Sequence, residues 1–393
     1  MASLISEQIK YSSNYTLENS LKSALFVSNL VYLNRESAGG AQICTQEYIE
    51  TIEAAGFSLS IVTYKTNRGI LTQLKNKIWN QPYGNFIPTE LIDIIVNEAN
   101  TKKAAYIFLN QVELGHIAKE LRKKIDSTCR IVVLSHGLES TDIFHGIRTK
   151  NIQNSFNQVT FNDVRILGKS LIQEGIHRQY IDYVFCLSPL DVQIERWLGA
   201  KNVIWIPRTI KVESISWQPQ YSRIGFVGTI NHHPSLEGLV LFLEAFEKIA
   251  PFGVSLRLVG GESIETKNLI QRFPIIEYLG RLSNQDLKKE AGTWNCFIHP
   301  IFCYPRGCST KLATALSWQI PIVTTPAGCR GYSWKTGKLS LAETPESMAN
   351  LVLQMLNPEV AQINQKEVVS VSTTAPSIQE IGEKIREFLY ELN

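Results

Sequence analysis

The chain has 393 residues, of which 44% are hydrophobic and 19% charged, a profile that argues against a disordered or membrane protein and fits two α/β domains. Its 39 basic and 36 acidic residues leave a net charge of +3, which is too small for the basic footprint of a nucleic-acid-binding domain. We recognise no secretory leader and no apolar run of spanning length, so a cytoplasmic chain without nucleic-acid partners is expected.

The first half of the chain alternates apolar runs with helical patterns. A glycine loop at Gly39 and Gly40 is followed by an amphipathic helix and a second strand. The other predicted elements of this half are strands at 23–33, 104–110, 129–137, 180–189 and 202–208 and a charged helix at 114–125. Because these runs lack polar alternation, the strands should be covered on both faces, and a mostly parallel sheet is expected over an N-terminal domain of residues 1–208.

The second half repeats this α/β pattern after a polar linker at 209–222. Strands are predicted at 223–230, 254–261, 275–280, 294–301 and 320–326, within a C-terminal domain of residues 223–375. Residues 376–393 are predicted to form a final amphipathic helix. The seven cysteines are odd in number and show no CxxC spacing, which favours reduced, buried thiols.

The most informative motif is a small-residue turn that leads into a helix. Gly307, Cys308, Ser309 and Thr310 precede and enter the helix that carries Lys311, where a cation opposes the helix dipole. Free N–H groups, hydroxyls and one ammonium together suit a diphosphate. The alternative is an ordinary Ser/Thr cap with a lysine that reaches solvent.

Residues at strand ends supply the other candidates. His136 ends an apolar strand and is followed by Glu139, a position suited to proton transfer with an acceptor hydroxyl. The alternative is a core histidine bonded to a backbone carbonyl. His299 lies between apolar residues and is predicted to belong to the core, and no metal-ligand spacing connects His136 with His232 and His233.

These motifs resemble the retaining glycosyltransferases of family four, the glycosyl transferases group 1, and the resemblance covers most of the chain. It rests on RIGFVGTI, LRLVGG, YLGRLS and GCSTKLATALSWQIPIVTT in the second half and on GGAQ and SHGLES in the first. It implies the GT-B architecture, in which two Rossmann-like domains face each other across a cleft. It also implies transfer of a hexose from a nucleoside diphosphate sugar to an acceptor hydroxyl, without a cofactor or metal.

The resemblance also assigns residues to roles. His136 and Lys311 are the catalytic candidates, and Gly39, Gly40, His136 and Glu139 fall on the acceptor and sugar side. The donor side comprises Gly228, Gly280, Arg281, Arg306, Gly307, Cys308, Ser309, Thr310, Lys311 and Thr314.

Two positions depart from the family pattern. Arg306 and Thr314 stand where the family has two glutamates eight positions apart, and a threonine cannot give a carboxylate's charge-assisted hydrogen bond. Two alternatives to the transferase therefore stay open: a catalytically impaired scaffold or partner-binding module, and a nucleotide-sugar epimerase on the same fold.

The acceptor is open among carbohydrate, lipid-linked and protein hydroxyls. The regions 80–88 and 137–155 are predicted as loops that select it, and 152–180 as either a long helix or a lid. Basic stretches at 71–79, 120–125 and 145–151 are compatible with a peripheral membrane contact or with solvated helix faces.

Overall fold

The computed structural model describes residues 22–34, 39–66, 87–88, 90–153, 159–228 and 230–391. The basic stretch 71–79 and most of the predicted loop 80–88 lie outside these described residues.

The N-terminal domain is built around a six-stranded parallel sheet in the order β2-β1-β3-β4-β5-β6. Its strands are β1 (Lys22–Asn29), β2 (Phe57–Tyr64), β3 (Tyr106–Asn110), β4 (Arg130–Leu134), β5 (Tyr183–Cys186) and β6 (Asn202–Trp205). Its helices are α1 (Leu30–Leu33), α2 (Gly40–Ala54), α3 (Glu90–Lys102), α4 (Gly115–Lys124), α5 (Glu139–Gln153), α6 (Phe161–His177) and α7 (Pro189–Trp197), with 3₁₀ turns at Val112–Leu114 and Arg178–Tyr180. Apolar cores cover both faces of the sheet, as predicted from strands whose apolar residues do not alternate with polar ones.

The C-terminal domain repeats this architecture with the parallel order β12-β11-β10-β7-β8-β9. Its strands are β7 (Gln220–Val227), β8 (Ser255–Val259), β9 (Ile276–Gly280), β10 (Trp294–Ile298), β11 (Ile322–Thr324) and β12 (Ser340–Leu341). Its helices are α8 (His233–Phe246), α9 (Ile264–Arg272), α10 (Asn284–Ala291), α11 (Thr310–Trp318), α12 (Pro326–Cys329), α13 (Pro345–Met355) and α14 (Pro358–Thr373). The prediction of two Rossmann-like domains with parallel sheets is confirmed.

Three local predictions were wrong. The first strand ends at Asn29, because the Asn29 side chain accepts a hydrogen bond from the Val31 N–H and starts helix α1. Strand β7 begins at Gln220, inside the predicted linker, because Gln220 and the residues after it pair with β10. Residues 139–153, predicted as part of a loop, form α5, with Glu139 and Asp142 in its first turn.

The last helix, α15 (Ile378–Glu391), returns to the N-terminal domain. Ile381, Ile385 and Leu389 are buried in the core beside α2 and β5. Burial of apolar side chains of this size contributes about 1.5–3 kcal/mol each. The chain therefore ends as part of the domain in which it began.

The predicted basic stretch 120–125 is largely paired on the surface. Lys123 and Lys124 pair with Glu120 and Asp93 at 2.7 and 2.6 Å, and Arg122 pairs with Asp182. These pairs fit a solvated helix face. Among the described residues, no helix combines the length and apolar character needed to cross a bilayer.

Candidate active site

A cavity of about 400 Å³ lies between the two domains, where strands of both sheets have their carboxyl ends. It is lined by Tyr32, Gly40, Ala41, Cys44, Gln111, His136, Asp142 and Leu187 from the N-terminal domain, and by Asn231, His232, Ser235, Ile301, Pro305, Arg306, Gly307, Cys308, Ser309, Thr310, Lys311 and Arg330 from the C-terminal domain. The structure thus brings together the predicted turn 306–311, His136 and Gly40.

Three helices begin at this cavity without a side-chain cap. The N-cap residues of α2, α8 and α11 are Gly39, His232 and Ser309. Gly39 has no side chain, and neither the His232 nor the Ser309 side chain accepts a hydrogen bond from its helix. A Cβ on Gly40 would lie 3.4 Å from Thr310 Oγ1, so α2 and α11 begin side by side across the cleft. Uncapped N–H groups and the positive ends of three helix dipoles make the cavity attractive to an anion.

Ser309 does not cap α11 because its hydroxyl is bound elsewhere. His299 Nε2 and Ser309 Oγ lie 2.8 Å apart, and His299 Nδ1 lies 3.0 Å from Thr324 Oγ1. Burial, assisted by the charges of Lys311 and Arg330, lowers the pKa of His299 to about 3, so its ring is neutral. His299 is buried as predicted, yet it also fixes a residue of the cavity wall.

Lys311 extends from the first turn of α11 toward α8. Its Nζ donates to Ser235 Oγ at 2.8 Å, and burial lowers its pKa to about 8. Among the described residues, no carboxylate lies within ion-pair distance of this ammonium. Gly228 has a φ of +139°, and a Cβ there would lie 2.2 Å from Lys311 Cε, so only glycine leaves room for this side chain.

The turn before α11 is fixed by an arginine that the sequence did not single out. The Arg330 guanidinium donates to the carbonyl oxygens of Pro305 and Ala327 at 2.8 and 2.6 Å, and also to those of Arg306 and Gly307. These contacts to four carbonyl oxygens hold the turn in shape.

The domains touch at two glycines of positive φ. Gly137 has a φ of +91° and Gly307 a φ of +62°. A Cβ on Gly137 would lie 2.1 Å from the Gly307 nitrogen, and one on Gly307 would lie 2.4 Å from the His136 carbonyl oxygen. Side chains at either position would force the two domains apart.

Arg306 also crosses the cleft. Its Nη2 donates to Gln111 Oε1 at 2.8 Å, and its backbone N–H donates to Asp142 Oδ1 at 3.3 Å. Gln111 has a φ of +90°, a strained conformation for a residue with a side chain and one that clusters at functional sites. At position 306, where the family pattern has a glutamate, this chain has an arginine whose guanidinium is bound by the neutral side-chain amide of Gln111.

The hydrogen bonds around His136 determine its tautomer. The Ser28 and Thr45 hydroxyls donate to backbone carbonyls and accept from the Asn110 amide at 2.9 and 3.0 Å. The Asn110 oxygen, 2.8 Å from His136 Nε2, must therefore accept the proton of Nε2. This leaves His136 Nδ1 with a lone pair, and this buried atom has no hydrogen-bond partner among the described residues.

His136 is held neutral by its surroundings. Burial lowers its pKa well below the usual value for histidine, and the charges of Arg306 and Arg208 lower it further. The core alternative required a carbonyl partner for the ring, and its observed partner is the Asn110 side chain.

Several predicted residues lie outside the cavity lining. Gly280, with a φ of +69°, ends β9, and Arg281 is exposed beside Gly261. The Thr314 hydroxyl donates to the Thr310 carbonyl within its own helix at 3.3 Å. Glu139 is half-buried at the start of α5, and burial raises its pKa to about 7.

Sequence reasoning missed Gln111, Asn110 and Arg330 and the bond between His299 and Ser309. Asn110 and Gln111 end and follow β3, as His136 follows β4, so their position at a strand's carboxyl end was a usable signal. Arg330 follows a short helix and offered no comparable signal. Within the described part of the chain, no three His, Cys, Asp or Glu side chains group as metal ligands.

Known proteins share this architecture across the whole chain. The sucrose-phosphate synthase from Thermosynechococcus elongatus is 16% identical with a TM-score of 0.61, covering 94% of this chain and 99% of that one. HepE of Anabaena, solved in complex with UDP-glucose, is 13% identical with a TM-score of 0.59, covering 94% and 99%. The α,α-trehalose 6-phosphate synthase from Burkholderia multivorans is 12% identical with a TM-score of 0.57, covering 95% and 99%.

At these identities the likeness establishes the GT-B fold alone. In sequence, no curated protein matches the chain. Residues 221–358 match the family described as "Glycosyl transferases group 1", which confirms the resemblance seen in the second half.

Proposed function

Because residues 221–358 match the family of group 1 glycosyl transferases, we propose that the chain transfers a hexose from a nucleoside diphosphate sugar to an acceptor hydroxyl. The observation that carries the proposal is the convergence of three uncapped helix N-termini and Lys311 on one cavity. HepE of Anabaena, which shares the fold, was solved with UDP-glucose and supports a nucleotide sugar as donor.

The diphosphate is the group that this cavity suits best. As the sugar departs, negative charge builds on the diphosphate oxygens, and fixed dipoles with one ammonium stabilise that charge without reorganising. Lys311 and the N–H groups at the start of α11 are assigned this role. Because these groups supply the positive charge, we propose that the reaction proceeds without a metal or cofactor.

His136 is assigned to the acceptor side. Its Nδ1 lone pair is able to accept a proton from an acceptor hydroxyl or a hydrogen bond from the transferred sugar. We propose retention of the anomeric configuration, with a carbohydrate, lipid-linked or protein hydroxyl as acceptor and the cytoplasm as the compartment. Gly280, Arg281 and Thr314 are assigned to the base and ribose, beyond the diphosphate.

The competing scaffold hypothesis rests on Arg306 and Thr314, which replace two glutamates of the family pattern. A scaffold would bind nucleotide weakly or not at all. An epimerase would convert the donor in the absence of acceptor, whereas the proposed transferase requires both substrates for full turnover. Product analysis with and without acceptor separates the two enzymes.

Nucleotide binding tests the proposal first. Calorimetry with UDP, GDP, ADP and TDP should show one preferred nucleotide, bound roughly ten- to a hundredfold more weakly by Lys311→Ala, because a hydrogen bond to a charged group is lost. Lys366→Ala, at an exposed lysine of α14, is the matched control and should bind normally. If wild-type protein binds none of the four nucleotides, the scaffold hypothesis replaces the transferase.

A further inference from the structure

Helix α6 is packed with its polar side inward. Ser170, Glu174 and His177 are its buried residues. Glu174 accepts hydrogen bonds from the Ser140 hydroxyl and N–H at 2.6 and 3.2 Å, which ties α6 to α5. The polar face of α6 is therefore committed to the fold.

The opposite face of α6 is apolar and exposed. Phe161 is 84% exposed, and Val164, Ile172 and Ile176 are 57%, 62% and 47% exposed. At 3.6 residues per turn, Phe161, Ile172 and Ile176 lie within an arc of about 60° on the side away from Ser170, and Arg165 lies in the same arc. None of the described residues covers this side, although an ordinary surface helix directs its apolar side inward.

A tryptophan extends this apolar face. Trp197, at the end of α7, is 71% exposed. Its neighbour Leu198 lies against Gly175 of α6, and Glu195 of α7 forms a buried ion pair with Arg178 just after α6. The end of α7 is thereby fixed beside the end of α6.

The charges around this face are one-sided. Arg165, Arg196 and Lys201 are exposed, and Lys169 is half-buried. The acidic side chains between 159 and 201 are buried, ion-paired or used as a cap: Asp163, Glu174, Asp182, Asp191 and Glu195. The surface that α6 and α7 present is therefore apolar and basic, with Arg165 among the apolar side chains and Lys169 at their edge.

We propose that the exposed face of α6, with Trp197, docks the protein on an anionic lipid surface. Apolar side chains on one face, cationic side chains whose stems lie along it and an amphipathic aromatic residue suit a helix that lies in the lipid headgroup region. A helix of this length presents a straight, convex ridge about 25 Å long, which a fluid surface accommodates without a complementary groove. In sequence, its residues fall outside the three basic stretches, and no described residue of α6 lines the cavity.

Vesicle flotation of the full chain tests the proposal. The protein should float with vesicles of phosphatidylcholine and phosphatidylglycerol, less with phosphatidylcholine alone, and less as salt is raised. Ile172→Asp should lower the bound fraction roughly tenfold or more. Ile363→Asp is the matched control, because Ile363 is also 62% exposed on a helix but lies in the C-terminal domain.

A second variant tests the cationic side chains without changing the apolar residues. Arg165→Glu with Arg196→Glu should reduce binding to the mixed vesicles on the order of tenfold or more. Nucleotide affinity should be unchanged in all these variants, so failure of this proposal and failure of the transferase proposal are distinguishable.

Two results would overturn lipid docking. One is wild-type protein that does not float with anionic vesicles, or that floats equally after Ile172→Asp and Ile363→Asp. The other is a dimer in size-exclusion chromatography with light scattering that Ile172→Asp disperses while vesicles bind neither form, which would assign the face to a second copy of the chain.

Discussion

Most described helices that begin away from the cavity have a side-chain cap, whereas three that begin at it do not. An exception is α4, which follows Leu114 and is uncapped although its start does not line the cavity. Away from the cavity, Ser188, Ser263, Ser283, Thr344 and Asn357 each accept a hydrogen bond from the helix they begin. At the cavity, α2, α8 and α11 begin without such a bond.

The helices at the cavity lack the stabilisation that a side-chain cap provides. A side-chain cap stabilises a helix by about 1 kcal/mol, and Ser309 is a residue type able to supply one. Its hydroxyl is bound to His299 instead, so the N–H groups of α11 stay open toward the cavity. An anion would satisfy those groups, as the serine and threonine side chains do elsewhere.

Replacing His136 should have the largest effect on activity, because this residue is assigned to proton transfer and not to stabilising the diphosphate charge. His136→Ala should lower kcat about 10²–10⁴-fold, the range for loss of a general base, with nearly unchanged affinity for the bound nucleotide. Steady-state kinetics with the donor of that nucleotide, beside calorimetry, measures both. Weaker nucleotide binding with an unchanged kcat would place His136 in the anion site instead.

Gly137→Ala should move the start of α11 away from the start of α2. The new Cβ would meet the Gly307 backbone and push the turn before α11 away from the N-terminal domain. Displacement of about 1 Å at reacting groups can cost a hundredfold in rate, and we expect at least that loss of transfer activity.

Gly199→Ala is the control for backbone strain. Gly199 has a φ of +96°, close to that of Gly137, but a Cβ there would meet no atom within 4 Å. Both variants carry the backbone strain, so both should lose stability in thermal melts, Gly137→Ala the more because of its clash, and only Gly137→Ala should lose activity. Equal activities would show that close approach of the domains is not required.

The pH dependence of binding should follow Lys311. With a pKa of about 8, its side chain is charged below that pH and neutral above it. Affinity for the preferred nucleotide should therefore hold up to about pH 8 and then fall, by no more than the roughly ten- to hundredfold lost in Lys311→Ala, while Lys311→Arg should remove this fall. An identical fall in both proteins would assign the titration to another group.

The smallest expected effects come from two serines, Ser283 at a capped helix and Ser309 at an uncapped one. Ser283→Ala removes a cap and should lower the free energy of unfolding by about 1 kcal/mol without changing nucleotide affinity. Ser309→Ala removes no cap, and should instead weaken nucleotide binding a few-fold by releasing the turn, an effect of about 1 kcal/mol. Chemical denaturation and calorimetry on both variants would show whether the effects separate in this way.

The fold and part of the site could be predicted from the sequence because both depend on local patterns. Apolar runs predicted the parallel strands, and the turn from Gly307 to Lys311 could be read as one segment. Gln111 and Arg306 are 195 positions apart in the chain, so their contact depends on how the domains meet. The missing cap at Ser309 was equally hidden, because a serine before a helix ordinarily predicts a cap.

A crystal structure of the chain with UDP would test the central claim most directly. The account predicts diphosphate density at the start of α11, within hydrogen-bond distance of backbone N–H groups near Thr310 and of Lys311 Nζ. A bound nucleotide whose phosphates lie away from all three uncapped helix ends would contradict it.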